Sequence, residues 1–537
     1  MKKLLNKSCF PLVLLCAMAS CHKIDVPIKT ELTPEVFPQT PSQFTQATGP
    51  AYAALRGNFS LDYWFMQSLS TDEAILPARG GNWYDNQNYI NLHLHNWTKD
   101  HGNTNGTWNW LSVVIGTTNQ ALSILGQTMP EDASKQTTLA ELKMVRAIAY
   151  FMMMDLYGNV PIVTTYGDFQ PKPNVARKEV FNFIESEVKA SLPYLSAAAG
   201  TATYGRANKS TAHALLAKMY LNAEVYTGTQ RLNECIAASD SVISSGLYAI
   251  EPRSSYLKMF YPNNGPSMKE FIFAIPYDPA FVNLPGTNGF MYHARYDVPR
   301  SMRTRFTLPY TPSSARSTLP EFYAHFNDPN DVRNQQWLTS AQFNYNGTPV
   351  TVTTTKKGYD QFYTGADGSA PFTYQVTLAP KIELRESVAA FDLGNDEISW
   401  NMGYRNVKFY PDSISTSRNQ SNDVPFLRYS DILLMKAEAI LRGGTATLGH
   451  TAVDLVNMVR SNRTTSAPLT AITLDELYAE RNREFAWETW HRNDMIRFGK
   501  FESAWGYKTD ADPRRRIFPI PTSAMMVNPA LVQNPGY

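Results

Sequence analysis

The sequence predicts a mostly α-helical protein in which a long, loop-rich insertion interrupts a helical scaffold. Apolar residues recur at intervals of three and four between residues 51 and 249, and again between residues 425 and 500. Between residues 250 and 424 the chain is instead rich in Pro, Gly, Asn, Thr and aromatic residues, with only short alternating runs. The expected architecture is therefore helices, an irregular insertion with minor β structure, and helices again.

The first residues have the pattern of an export signal. Three lysines within the first seven residues precede an apolar run over residues 10–18 that is too short to span a bilayer. The following Met18-Ala19-Ser20-Cys21 resembles the bacterial lipobox, in which the cysteine thiol is acylated and becomes the new N-terminus. We expect a signal peptide over residues 1–20 and lipid on Cys21; the alternative is an ordinary signal peptide followed by an incidental cysteine.

Charge and cysteine content argue against nucleic-acid binding and against an internal disulfide. The 49 basic and 47 acidic residues nearly balance, and the signal peptide removes three lysines and no acid. A neutral mature chain does not favour nucleic acid, whose binding needs a dense basic patch. Cys235 is the only other cysteine that the mature chain keeps, so no internal disulfide forms and stability depends on the core.

The scaffold is predicted element by element. Residues 21–50 contain several prolines, which indicates a tether, and a single domain follows from residue 51 to 537. The clearest helix covers residues 139–157 and ends at Gly158. Further helices are expected near 108–126, 178–195, 209–226 and 233–245. The alanine-rich, tyrosine-punctuated stretch 213–226 indicates degenerate tetratricopeptide-like helix pairs.

Two strands are predicted in the insertion, at residues 271–275 and 350–354. Helices follow at 426–441, 451–463 and 474–498, and residues 501–537 form a C-terminal tail. Loops on a rigid helical frame are where binding surfaces are usually built. The insertion is therefore expected to carry the binding face.

The last long helix is rich in carboxylates, which raises the question of glycoside hydrolysis by two opposed carboxyl groups. Glu480, Glu484 and Glu488 are spaced four apart, with Arg483 between the first two and Arg492 four residues after the last. That spacing predicts an ion-paired helix face instead of an acid-base pair.

Three other signals favour structural roles. His93 and His95 lack a third metal ligand nearby, and the segment 205–211 lacks the glycine that a phosphate loop needs before its lysine. Cys235 lies in a helical block and is expected to be buried, not nucleophilic.

Many segments, in fixed order, resemble the SusD/RagB family of outer-membrane nutrient-binding lipoproteins. They are Leu69-Ser-Thr-Asp-Glu73, Leu156-Tyr-Gly-Asn-Val-Pro-Ile162, Tyr204-Gly-Arg-Ala-Asn-Lys209, Glu480-Arg-Asn-Arg-Glu-Phe485, Phe518-Pro-Ile-Pro521 and Gln533-Asn-Pro-Gly-Tyr537, together with residues 139–151, 422–439 and 492–498. The resemblance implies a tetratricopeptide-like scaffold that sits as a lid on a SusC-like TonB-dependent transporter of the outer membrane.

Most members of that family hold oligosaccharides for import, and a minority serve other cargo, including peptides. The resemblance therefore implies a non-catalytic, lipid-anchored protein at the cell surface that captures oligosaccharides and delivers them to the transporter. Peptide cargo, a glycoside hydrolase and a purely structural lid are the alternatives.

A sugar-binding site requires exposed aromatic rings that stack on the sugar and planar polar groups that hydrogen-bond its hydroxyl groups. In the family, the loop after the Thr-Asp-Glu element contributes to the ligand site, and Arg79, Trp83, Tyr84 and Asn86 fall in that loop. The alternative for Trp83 is that it packs the loop down.

A second aromatic cluster in the insertion contributes three further candidates, Tyr292, Arg295 and Tyr296, for which packing is an equal alternative. Trp337, Tyr359 and Tyr363 could join the same surface. Some family members hold a structural calcium, which takes oxygen ligands, and this suggests Asp278 and Asp423 as candidate calcium ligands.

Overall fold

The structure, a computed structural model, describes residues 37–277, 293–354, 371–385, 387–416 and 419–537. Within these ranges the predominantly helical class is confirmed. The predicted signal peptide, Cys21 and the first part of the predicted tether lie outside the described residues. No helix within the described ranges is long and apolar enough to cross a membrane.

The helices are α1 Pro41–Arg56, α2 Trp64–Ser68, α3 Asn88–His93, α4 Gly102–Thr128, α5 Ala133–Tyr157, α6 Arg177–Ser191, α7 Lys209–Leu221, α8 Ala223–Thr227, α9 Leu232–Ile243, α10 His293–Asp297, α11 Pro320–Tyr323, α12 Glu397–Trp400, α13 Tyr429–Leu441, α14 Ala452–Arg460, α15 Leu474–Phe485, α16 His491–Arg497 and α17 Thr522–Val527. The strands are β1 Phe271–Ile275, β2 Trp337–Leu338, β3 Ser340–Ala341, β4 Thr351–Thr354, β5 Phe372–Gln375, β6 Thr377–Leu378, β7 Arg405–Asn406 and β8 Val424–Arg428. The strands pair antiparallel as β1–β8, β2–β7, β3–β6 and β4–β5.

Helix α5 is the centre of the first helical half. Every residue from Met144 to Tyr157 is buried, because α4 packs on one side of the helix and α6 on another. A helix that is buried all round needs small and apolar residues on every face, and the run of Ala, Met, Phe and Leu here supplies them. Gly158, with φ of 69°, ends the helix in a left-handed turn.

Two predicted boundaries are wrong. The tether does not extend to residue 50, because α1 begins at Pro41, where Thr40 and Gln43 form a capping box and proline suits the first turn. Pro50 lies inside this helix. In the second helical half, residues 424–428 form β8, so the predicted helix at 426 begins three residues later, at Tyr429.

The predicted helix 474–498 is divided. Helix α15 ends at Phe485, and Trp487 and Thr489 adopt left-handed φ values of 66° and 68°. Glu73 accepts a 2.7 Å hydrogen bond from the Trp487 backbone nitrogen, and the Trp64 indole donates to the Trp487 carbonyl at 3.1 Å. The break therefore ties the Thr-Asp-Glu element of the first helical half to the end of α15.

One carboxylate, Glu484 on α15, lies at the centre of a buried ionic network. Its oxygens accept hydrogen bonds from Arg333 at 3.1 Å, from Arg428 at 2.8 Å and from Arg463 at 3.0 Å. The exposed fraction of each of the four side chains is 1% or less. Burial alone would raise the pKa of Glu484, but the three guanidinium groups hold that pKa well below its usual range.

The network joins parts of the fold that are far apart in sequence. Arg333 belongs to the insertion, Arg428 to the end of β8, and Arg463 follows α14. Glu488 extends the network by accepting from Arg428 at 2.7 Å and from Lys408 at 2.5 Å. The insertion and the second helical half are therefore bound together through charges that are removed from water.

The predicted ion pairing of this carboxylate-rich segment is confirmed, although most of the partners are arginines from other segments. Only Arg483 pairs with Glu480 along the helix itself, at 2.7 Å, and Arg492 donates instead to the carbonyls of Arg515 and Arg516. Buried carboxylates that are neutralised by arginine cannot act as the opposed, substrate-accessible pair that glycoside hydrolysis requires.

We expect Glu484→Gln to lower the free energy of unfolding by about 3–5 kcal/mol, because the substitution leaves three buried guanidinium groups without their shared counter-charge. Asp475→Asn on the same helix is the matched control. The Asp475 side chain is 81% exposed and pairs with Lys500, so its loss is expected to cost less than about 1 kcal/mol. Urea denaturation measures both values, and equal losses would contradict this account of the network.

The network also predicts a dependence of stability on pH. Burial would raise the pKa of Glu480, but Arg333 and Arg483 overcome it and lower the pKa to about 2. A carboxyl group whose pKa is depressed in the folded state stabilises the fold above its unfolded pKa of 4.5 and loses that contribution as pH falls toward 2. We expect the urea midpoint to fall across this window, and to fall less in Glu480→Gln, which is already destabilised at neutral pH.

Candidate functional site

The loop over residues 79–89 has an unusual backbone. Positive φ values occur at Gly80, Gly81, Trp83, Asp85, Asn86 and Gln87. Glycine adopts this region freely, but the other four residues are strained in it. Such strain persists only where the surroundings enforce it, and it concentrates at functional sites.

Asp392 enforces the conformation of this loop. Its two carboxylate oxygens each accept a 2.8 Å hydrogen bond, one from the Gly80 nitrogen and one from the Gly81 nitrogen. Ala78 adds backbone hydrogen bonds to Phe391 and Leu393 at 2.8 and 2.9 Å. The insertion therefore holds the base of the loop.

Arg79 was predicted to contact the ligand, and the structure contradicts this because its side chain is fully buried. The guanidinium donates to the Ala315 carbonyl at 2.9 Å and lies 5.7 Å from the centroid of the Trp400 ring. Burial, together with the nearby charge of Arg405, lowers the pKa of Arg79 well below its usual value. Arg79 braces the loop from beneath and does not form its surface.

The structure brings together the two aromatic clusters that the sequence singled out. The half-buried Trp83 ring meets the Tyr296 ring edge to face, with 5.3 Å between centroids, and Tyr296 in turn packs against Phe65 at 5.5 Å. Tyr296 is only 6% exposed. Tyr296 therefore supports Trp83 from behind and presents little of its own ring to a ligand.

The remaining predicted residues lie beside this pair. Tyr84 is 41% exposed, and its hydroxyl accepts a 2.5 Å hydrogen bond from Gln87. Asn86 is exposed, and the half-buried Arg295 places its guanidinium 5.3 Å from the Tyr296 centroid. Tyr292 lies outside the described residues.

Of the further candidates in the insertion, the structure describes only Trp337. Trp337 is buried in an aromatic core against Phe326 and Trp487, so it does not join the binding surface. Tyr359 and Tyr363 lie outside the described residues. Tyr345, which the sequence reasoning missed, is 69% exposed. The Asn-Gly pair at residues 346 and 347 marks the turn that carries Tyr345, and a tyrosine in such a turn has no core to enter.

Asp423 forms a structural tie. Its carboxylate accepts from the Tyr277 backbone nitrogen at 2.7 Å and from the Tyr204 hydroxyl at 2.6 Å. Asp278 lies outside the described residues, and the part of the chain that the structure describes contains no group of three or more His, Cys, Asp or Glu placed to hold a metal. A calcium site here stays a prediction.

The other sequence signals have structural explanations. Burial lowers the pKa of His93 to about 3, and His95 hydrogen-bonds the Ser70 carbonyl at 3.0 Å. Asn208, within the segment 205–211, caps α7, so this segment begins a helix. The Cys235 thiol is buried as predicted, and burial raises its pKa to about 12.

A groove of about 320 Å³ lies elsewhere, between α1 and β1. Tyr52, Arg56, Phe273 and Pro276 are among its lining residues, and it shares none of them with the loop 79–89.

The structure is a helical scaffold that presents aromatic side chains from a strained loop. The chain belongs to the SusD family, whose model matches residues 213–514. A second family model, described as "Starch-binding associating with outer membrane", matches residues 39–221.

Among related sequences, the starch-binding protein SusD of Bacteroides thetaiotaomicron is 25% identical over 493 residues, which cover 87% of this chain and 84% of the relative. A SusD-like protein of Bacteroides ovatus is 24% identical over 473 residues, covering 83% of this chain and 77% of the relative.

Solved structures show the same fold. A laminarin-binding SusD-like protein superposes with a TM-score of 0.71 at 18% identity, covering 93% of this chain and 100% of its own. Surface glycan-binding protein A from Bacteroides fluxus superposes with a TM-score of 0.70 at 17% identity and the same coverage.

We expect Asp392→Ala to accelerate backbone amide exchange at Gly80 and Gly81 by at least about tenfold, because each loses a charge-assisted hydrogen bond of about 1.5–3 kcal/mol. Asp392→Asn keeps one acceptor oxygen and should give an intermediate rate. Exchange within α5 serves as the internal control. Unchanged exchange at both glycines in Asp392→Ala would show that the carboxylate does not hold the loop.

Proposed function

We propose that this protein is a non-catalytic, lipid-anchored protein of the cell surface that captures oligosaccharides and delivers them to a SusC-like TonB-dependent transporter. The observation that carries the proposal is the loop 79–89, which Asp392 holds in a strained conformation with Tyr84 exposed and Trp83 half-buried. A ready-made loop gives up little conformational freedom when it binds.

The chemistry of this loop suits a sugar. The aromatic faces of Trp83 and Tyr84 can stack on the apolar C–H face of a pyranose ring, while the Asn86 amide both donates to and accepts from hydroxyl groups. Such contacts give micromolar to millimolar dissociation constants, about 4–8 kcal/mol of binding free energy. Affinity of this size allows the cargo to be released to a transporter.

The relatives support this cargo and this location. One of them is named for starch binding and another for laminarin binding, and a matching family model is described as associating with the outer membrane. Lipid on Cys21 would anchor the chain, since each buried methylene of an acyl chain contributes about 0.8 kcal/mol of membrane affinity. Residues 22–36 would then connect the anchor to the body.

The absence of catalysis is part of the proposal. The carboxylates of the segment 480–488 are engaged with arginine and lysine and are buried. Binding and release, without bond cleavage, is the activity that the arrangement supports.

The soluble form, residues 22–537, is run in native gels that contain a polysaccharide which retards the wild-type protein. We expect Trp83→Ala to weaken this retardation by at least about tenfold, because the substitution removes ring stacking. Tyr194→Ala is the matched control, because Tyr194 is 48% exposed on the scaffold, far in sequence from the loop. No sugar should be released in a parallel product assay.

Three outcomes would contradict this proposal. Released sugar would make the protein an enzyme, and unchanged retardation of Trp83→Ala would move the site away from the loop. Protection of an extended peptide, without retardation by any polysaccharide, would establish peptide cargo instead.

A further inference from the structure

Arginine is concentrated in the segment 293–306, beside the candidate site. Arginines stand at residues 295, 300, 303 and 305, and Asp297 is the only acidic residue among them. Both oxygens of the buried Asp297 accept 2.7 Å hydrogen bonds from Arg316, so its charge is already neutralised. Asp297 therefore does not balance the arginines of its own segment.

Three of these arginines have no carboxylate partner among the described residues. Arg300 alone approaches an acid, Glu397, at 4.0 Å. Arg303 donates to the Leu308 and Pro309 carbonyls at 2.9 and 2.8 Å, and Arg305 donates to the Gln342 side chain at 3.2 Å. We call Arg295, Arg303 and Arg305 the arginine strip.

The strip faces outward because the other side of the segment is packed. Ala294, Val298, Met302 and Phe306 recur every four residues and lie in a small buried core of the insertion. Arg295 and Arg305 are half-buried and Arg303 is exposed. The arrangement leaves guanidinium groups at the edge of the insertion, with apolar support behind them.

The two outer arginines of the strip each lie beside aromatic rings. Arg305 places its guanidinium 5.5 Å from the centroid of the highly exposed Tyr345, whose hydroxyl hydrogen-bonds that of Tyr410. Arg295 lies over Tyr296, the ring that supports Trp83. In each case a guanidinium that has no carboxylate partner among the described residues lies beside an aromatic ring.

The Nε atoms of Arg295 and Arg305 share a second feature, because both are buried and neither has a hydrogen-bond partner within the described part of the chain. Neither guanidinium is thus held by a full set of protein acceptors, as those of Arg333 and Arg463 are by carboxylates in the core. The buried Nε atoms are closed to a ligand, but both side chains are half-buried, and their remaining guanidinium nitrogens are suited to donate to an anionic oxygen.

We infer that the oligosaccharide is anionic, and that Arg295 and Arg305 bind its carboxylate or sulfate groups while Trp83 and Tyr345 stack on its rings. The inference rests on the proposed glycan-binding function and specifies its cargo. Guanidinium groups match the planar oxygens of carboxylates and the oxygens of sulfate esters, and they bind both bidentately.

The charge is local to this face. The mature chain is close to neutral, so its overall charge does not attract polyanions. Asp392, at the base of the loop, is engaged by the Gly80 and Gly81 nitrogens, and Asp297 is paired with Arg316. Arg295 places its positive charge beside the loop, because its guanidinium lies over Tyr296, the ring that packs against Trp83.

The test uses polymers that differ only in charge. The soluble form is run in native gels containing polygalacturonate or methyl-esterified pectin, and dextran sulfate or dextran. We expect one charged polymer to retard the protein at least about tenfold more strongly than its uncharged counterpart, and the effect to weaken as salt rises. Retardation by polygalacturonate assigns carboxylate, and retardation by dextran sulfate assigns sulfate.

The matched variants separate local recognition from net charge. Arg295→Gln combined with Arg305→Gln should weaken retardation by the charged polymer at least about tenfold. Lys178→Gln combined with Arg253→Gln removes the same charge from exposed positions outside the strip and should change it less than twofold. Equal melting temperatures for the two double variants would show that both are folded.

Three results would overturn the inference. Retardation only by the uncharged polymers, equal in wild type and strip variant, would leave glycan capture intact and remove its anionic character. Equal losses in both double variants would reduce the effect to net charge. No retardation by either charged polymer would also overturn the inference, whereas the proposed function is tested separately by the Trp83→Ala variant and the product assay.

Discussion

The binding of Glu484 by three arginines is the constraint on which the remainder of the structure depends. Arg333 belongs to the insertion, Arg428 ends β8 and Arg463 follows α14. All three guanidinium groups hydrogen-bond the Glu484 carboxylate on α15. Desolvating four charges is expensive, so such a network contributes less to stability than its Coulomb attraction suggests. Its effect is to favour one arrangement of distant segments, since any other leaves a charge buried and alone.

Carboxylates that accept a hydrogen bond from a distant segment also occur in the first helical half and in the insertion. Glu73 accepts from the Trp487 nitrogen, Asp72 pairs with His491 at 2.5 Å, and Asp392 accepts from the two loop glycines. Backbone in left-handed conformations lies at two of these ties, around Trp487 and in the loop 79–89. The helical frame thus supports strained backbone at the surface through ionic and hydrogen-bonded ties to its interior.

The sequence predicts structural features that depend on neighbouring residues better than those that depend on residues far apart in the chain. Helix α5 and strand β1 were predicted because periodicity is a local property, and the burial of Cys235 follows from its helical block. The pairing of Glu480 with Arg483 was predicted from local spacing, but the distant partner of Glu480 and Glu484 could not be, since Arg333 lies 147 and 151 residues away from them. The start of α1 was predictable from Thr40 and Gln43, but the prolines around it outweighed that signal.

The candidate site shows the same limit. The loop was found from its aromatic and polar residues and its place after the Thr-Asp-Glu element, whereas the burial of Arg79 depends on the Ala315 carbonyl, 236 residues away. An arginine next to two glycines resembles a surface residue until the fold closes over it. Asp392 and the exposed Tyr345 were missed for the related reason that isolated residues in irregular segments carry no periodic signal.

A crystal structure of the protein with a retained oligosaccharide tests the central claim most directly. The account predicts a sugar ring stacked on Trp83 or Tyr84, in van der Waals contact with the loop 79–89, with the backbone of that loop unchanged. A ligand bound instead in the groove between α1 and β1, with the loop left bare, would contradict it.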